Sequence, residues 1–195
     1  MPKIIWCGNK SWDTDFPENT LPNNAKRIER PDNIFKSSLL YGILPLIFSY
    51  AIICIKWFMI GEKAMHPIYV PFGIILGLLL LPVHEVLHGV CYKKGQKVYI
   101  GICLKKFAAF AVCHEPISKR RFVIMSLMPM LLGIIPLAIF LLSPPNAFLS
   151  GICIPMGIIG MLSPMPDYMD VHIICKQVPK GAFVHTQNDG FYWYK

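Results

Sequence analysis

Ser37 to Ile55 and Phe122 to Pro166 each form a long stretch with no Asp, Glu, Lys or Arg. About 20 consecutive apolar residues cross the hydrocarbon core of a bilayer as a helix, so the first stretch predicts one span. The second is too long for a single span, and Ser143-Pro144-Pro145-Asn146 supplies a turn inside it. A further apolar run from Val70 to about Val90 predicts another helix. The pattern gives about four transmembrane helices, at roughly 37–60, 70–90, 122–142 and 147–175.

Between the second and third helices the periodicity changes. Val98, Ile100, Ile102 and Leu104 fall at alternate positions, Lys105-Lys106 interrupts, and Ala109, Ala111 and Cys113 resume the alternation. Period two on both sides of a polar pair predicts a β-hairpin over 97–114. Strand-like residues also flank Asn188-Asp189-Gly190 near the C-terminus, which predicts a second hairpin. Residues 1–36 are polar and rich in Pro and Asn, and they read as an exposed segment preceding the first span. The expected fold is an all-α membrane protein with a small hairpin between helices two and three. Its domains are an N-terminal segment 1–36, a four-helix domain 37–175 and a tail 176–195.

Composition agrees with that pattern: 54% of the 195 residues are hydrophobic, 15% are charged, and the mean hydropathy is +0.49. Soluble domains carry about 25% charged residues. Lys3 is followed by too short an apolar run for a signal-peptide core, so targeting is expected to come from the first span itself. Charge then sets an orientation. Six Lys and Arg lie in 1–36, eight in 91–121 and three from Lys176 onward, leaving only Lys56 and Lys63 for the opposite side. The positive-inside rule places both termini and the hairpin in the cytoplasm, with Lys56-Trp57 as an interface anchor. The formal net charge of +8 is read as this orientation signal and not as nucleic-acid binding, since no binding motif accompanies it. The seven cysteines show no zinc-knuckle spacing and are expected to be structural or incidental thiols.

Candidate chemistry sits inside the second apolar run, at His84-Glu85-Val86-Leu87-His88. With six His and five Glu in the chain, chance produces this His-Glu-x-x-His pattern about 0.005 times. On a helix, residues four apart share a face, so both imidazoles can reach one metal ion. Glu85, one step round, can reach a water held there. Ionisable groups within a span are costly and usually functional. A catalytic zinc site takes three protein ligands plus water. Asp167 and Asp170 are the first charges after the long uncharged stretch, and both are candidates for the third ligand. At about 1.5 Å per residue, His88 is ~27 Å along from Val70 and Asp167 ~30 Å along from Ala147, so their depths agree. Pro164 and Pro166 remove backbone donors just before Asp167 and loosen the helix there. His114-Glu115 is read as a surface pair. The hairpin edge is a place where an extended substrate segment could add as a strand.

The sequences "LPVHEVLHGV", "AVCHEPISKRRFVIMSLMP" and "PDYMDVHIICKQVPKGA" with the ending "GFYWY" carry a resemblance. The order of His-Glu-x-x-His helix, hairpin and later Asp resembles the site-2 protease group of intramembrane metalloproteases. More closely, residues 75–195 are similar to a family of bacterial multi-pass membrane proteins described as zincin peptidases. In that family an Asp-Tyr step precedes a Pro-Lys-Gly segment, which maps onto Asp167-Tyr168 and favours Asp167 over Asp170. The context "SPMPDYMD" differs from the Asn-Pro-Asp-Gly or Leu-Asp-Gly of site-2 proteases. The resemblance implies a bacterial cell-membrane zinc metallopeptidase acting on a membrane-protein or peptide substrate. His84, His88 and Asp167 would then hold Zn²⁺, with Glu85 as general base. The alternative is a non-catalytic membrane metal-binding protein, or a pseudoprotease that binds clients.

Overall fold

The computed structural model describes residues 1–10, 16–60, 66–104 and 108–195. Lys63, in the connection expected at 61–69, and Lys105-Lys106, expected to interrupt the hairpin over 97–114, lie outside the described residues. Among those described, four helical stretches are long and apolar enough to cross a membrane: Ile34–Met59, Pro67–Val90, Lys119–Leu142 and Ala147–Gln177.

The stretches are not uninterrupted rods. The first contains α1 (Ile34–Ser38) and α2 (Ile43–Ile60), the second α3 (Val70–Leu79) and α4 (Leu81–Val90). The third contains α5 (Lys119–Leu127) and α6 (Leu131–Leu142), the fourth α7 (Ala147–Leu162) and α8 (Met165–Gln177). Proline explains two of the breaks. Pro129 and Pro164 bring no N–H to the helical ladder, and the chain leaves regular α-helix beside each of them. The chain divides into two compact units close to such breaks: residues 1–34, 82–128 and 167–195 form one, and 35–81 with 129–166 the other.

Among the described residues, the second unit contains helices and their connections and no strand. Its outer faces are apolar and bare: Leu44 is 77% exposed, Phe58 90% and Leu142 82%. Its interior depends on close backbone approach. A Cβ placed on Gly160 would collide with backbone atoms of Gly133 and Leu132, so α6 and α7 meet without an intervening side chain. Lys56 does not act as an interface anchor. It is 3% exposed, and its ammonium donates to the Phe140 carbonyl and, at 2.8 Å, to the Ser143 carbonyl. The charge caps the C-terminal end of α6, whose last carbonyls have no helical donor.

The other unit corrects the expectation of an all-α fold, because it contains two sheets. The first has the order β1-β3-β4, built from β1 (Lys3–Asn9), β3 (Lys97–Cys103) and β4 (Ala108–Val112). β3 and β4 form the expected hairpin, with Ile100 opposite Ala111, while β1 runs parallel to β3 with Ile4 opposite Val98. The second has the order β2-β7-β6-β5, from β2 (Lys26–Arg27), β5 (Ile117–Ser118), β6 (Phe183–Gln187) and β7 (Gly190–Tyr194). β6 and β7 are the C-terminal hairpin read from the sequence.

The physical reason is that the polar segments between spans carry their own half-buried strands. Their backbone groups pair with one another instead of with water. The N-terminal segment takes part, supplying β1, β2 and Ile28, which is 3% exposed in the core. That core joins Val98, Ile100, Phe122, Ile174 and Val184 across both sheets and α5 and α8. Gly89 of α4 lets the helix lie against the first sheet, since a Cβ there would already stand 3.1 Å from Ile100 Cδ1.

Candidate metal centre

α4 presents His84 and His88 on its buried face, at 6% and 9% exposure. Their Nε2 atoms are 3.1 Å apart, with the rings inclined at 74°. Asp167, in the first turn of α8, completes the cluster. Its Oδ2 is 3.2 Å from His84 Nε2 and its Oδ1 is 3.3 Å from His88 Nε2. Among the described residues this is the one group of three His, Cys, Asp or Glu whose ligand atoms lie within 4.8 Å of one another.

The spacing fits a metal. Ligands at about 2.0–2.1 Å from a tetrahedral ion are about 3.3–3.4 Å apart, and the three separations here are 3.1, 3.2 and 3.3 Å. Two imidazole nitrogens and a carboxylate are also a donor set that suits zinc and related divalent ions.

The far side of the His88 ring is held as well. Nδ1 is 3.0 Å from the carbonyl oxygen of Met125. A carbonyl only accepts, so Nδ1 carries the proton and Nε2 keeps its lone pair toward the cluster. The Met125 carbonyl also accepts from the Met128 backbone N–H, and Pro129, four residues on, brings it no further helical donor. The sequence reading did not find this partner, although the Pro at i+4 was a usable signal.

Glu85 is half-buried, and its carboxylate faces His84, His88 and Asp167, with the backbone amide of Ala111 beside it. Ala111 belongs to β4, the outermost strand of its sheet. A carboxylate and a strand edge thus flank the same cluster.

Asp170 is engaged elsewhere. Arg30 Nε donates to its Oδ1 at 3.0 Å and Nη2 to its Oδ2 at 2.8 Å. Arg30 was not among the residues singled out from sequence. His114 is not a surface residue: it is 4% exposed, with Glu18 Oε1 3.9 Å from its Nδ1. Burial holds its imidazole below the usual histidine value, with Glu18 pulling the other way. His185 Nε2 donates to the His114 carbonyl at 2.9 Å, so this second pair of histidines is built into the sheet region.

Residues 77–183 match a family described as "putative zincin peptidase", which is more than half of the chain. The chain belongs to this zincin peptidase family. The matched stretch contains His84, Glu85, His88, Met125, Asp167 and Asp170, while Arg30 and β1 lie before it. No curated protein and no solved structure matches the chain.

Proposed function

We propose that this zincin peptidase is a membrane-embedded zinc metalloendopeptidase that cuts a peptide bond within or next to the bilayer. The observation that carries the reading is the convergence of two imidazole Nε2 atoms and the Asp167 carboxylate, with Glu85 alongside. His84, His88 and Asp167 are the ligands in this reading, and Asp170 is not one. A Zn²⁺ ion held by these three residues would supply a water of lowered pKa and polarisation of the scissile carbonyl.

The protein's own groups do the rest. Glu85 accepts a proton from the attacking water and delivers it to the leaving amine nitrogen as the C–N bond breaks. The water oxygen ends on the new carboxylate, and the second fragment leaves as the amine. β4 is the outermost strand of its sheet, and its Ala111 amide lies beside Glu85. An unwound substrate segment adds there as an extra strand, which presents its peptide bond to the cluster. This division of labour resembles that of site-2 proteases.

Membrane embedding is supported by the four apolar helices and by the bare apolar faces of α2 and α6, which require hydrocarbon in place of water. The charge distribution supports cytoplasmic termini and a site on the cytoplasmic side. Substrates are therefore membrane-protein segments or peptides at that surface.

Glu85→Gln tests the assignment. The purified variant is expected to retain about one zinc per chain while cleavage of a co-expressed membrane client is lost. Full activity in Glu85→Gln, or a wild type that holds zinc and cuts no client, overturns the peptidase reading in favour of a metal-binding protein.

A further inference from the structure

α8 carries Asp167 at its start, and a stripe of residues continues along the helix from there: Asp170, Ile174 and Gln177, at helical spacings of three, four and three. Asp170 and Ile174 are buried, and Gln177 is half-buried. Residues 28–30 of the N-terminal segment are bound to this stripe at both ends. Gln177 accepts from the Glu29 backbone N–H at 2.9 Å and donates to the Glu29 carbonyl at 2.8 Å. Arg30 holds both oxygens of Asp170. Ile28, between β2 and these contacts, shares the core with Ile174. Its backbone N–H donates to the Phe191 carbonyl at 2.8 Å. The Phe191 ring lies 4.3 Å from the Arg30 guanidinium and covers it.

We propose that Arg30 is a positioning residue for the metal centre, acting through Asp170 on Asp167. This rests on the reading of His84, His88 and Asp167 as zinc ligands. A helix advances about 100° per residue, so Asp167 and Asp170 lie within one turn of each other. Fixing the Asp170 carboxylate therefore fixes the rotation of α8 that aims Asp167. The planar guanidinium does this better than an ammonium, because its two parallel N–H bonds set an orientation as well as a distance.

Charge points the same way. Asp167 and Asp170 place two carboxylates in one helical turn, and Arg30 pairs with Asp170. Asp170 is thereby kept from competing for the ion, which leaves Asp167 as the third ligand. The N-terminal segment lies before the family-matched stretch, so this chain's site is braced by residues outside the shared region.

The test uses the full chain in detergent, with zinc affinity from competition against a chromophoric chelator and the visible spectrum of the Co²⁺-substituted protein. Arg30→Met is expected to weaken zinc binding about tenfold, the scale on which partners of metal ligands act, and to shift the Co²⁺ bands. Arg30→Lys should recover part of the affinity, and the exchange Arg30→Asp with Asp170→Arg should recover more than either half alone. If Arg30→Met does not fold, Arg30→Lys carries the test, with a loss of a few-fold and a shifted spectrum expected. Wild-type affinity and an unchanged spectrum in whichever of these folds overturn the inference alone. A wild-type chain that binds no zinc overturns the metal reading and this inference together, whereas zinc binding without peptidase activity leaves this test fully readable.

Discussion

His88 Nδ1 stands 3.0 Å from the carbonyl oxygen of Met125, so one ring nitrogen is committed to the backbone and the other faces Asp167. That carbonyl accepts from the Met128 N–H as well, and Pro129, four residues on, has no N–H to add. Pro129→Ala supplies a competing donor. Zinc affinity is expected to fall about tenfold, as for other partners of a metal-bound His, and chelator competition measures it. Unchanged affinity would mean that the Met125 contact does not matter to the metal.

Asp167→Ala removes the one carboxylate that touches both imidazoles. Zinc content by atomic emission is expected to drop from about one per chain to near zero. Asp170→Asn should retain zinc at reduced affinity, because it lies beyond the cluster. The opposite order would transfer the third-ligand role to Asp170.

Metal removal should be visible as lost stability. A ligand bound only to the folded chain stabilises by RT ln(1 + [L]/Kd), about 2.7 kcal/mol at a hundredfold excess over Kd. Zinc should therefore raise the Tm of the chelator-stripped wild type and leave that of His84→Ala with His88→Ala unmoved. Equal shifts in both proteins would point to binding elsewhere.

Lys56→Met keeps the aliphatic stem and deletes the ammonium that caps α6. The Ser143 carbonyl then loses the ammonium and the Phe140 carbonyl keeps only the Ser143 hydroxyl, at a cost of about 1–3 kcal/mol. Thermal melting in detergent should show the loss. Were Lys56 merely an interface anchor, the substitution would be close to neutral.

Gly160→Ala puts a methyl group against the backbone of Gly133 and Leu132. Neither obstacle is a flexible side chain, so α6 and α7 must separate, at a cost of about 1–3 kcal/mol. A Tm equal to wild type would show that the two helices part without penalty.

The spans, the His-Glu-x-x-His helix and the two hairpins could be read from the chain because each depends on neighbours within a few positions. Uncharged runs, alternation and a turn signal at Asn188-Asp189-Gly190 are local statements. Asp167 was reachable because its depth could be counted along a helix. What could not be read were pairings between distant segments. Nothing in Lys3–Asn9 says that its partner is Lys97–Cys103, and Arg30 precedes Asp170 by 140 positions with no periodicity between them. Residues 1–36 read as an exposed polar segment for that reason. Lys56 was misjudged because a lysine at the end of an apolar run has two remedies, water or a neighbouring helix end. Sequence does not say which is nearer.

The unit that contains the cluster is stitched from three separate stretches, 1–34, 82–128 and 167–195. A ribosome making this chain releases Arg30 and both histidines long before Asp167. Until the stretch from Asp167 onward is made, the growing polypeptide lacks the third member of the cluster. The order of translation itself thus delays the meeting of the three side chains until the stretch that carries Asp167 has emerged.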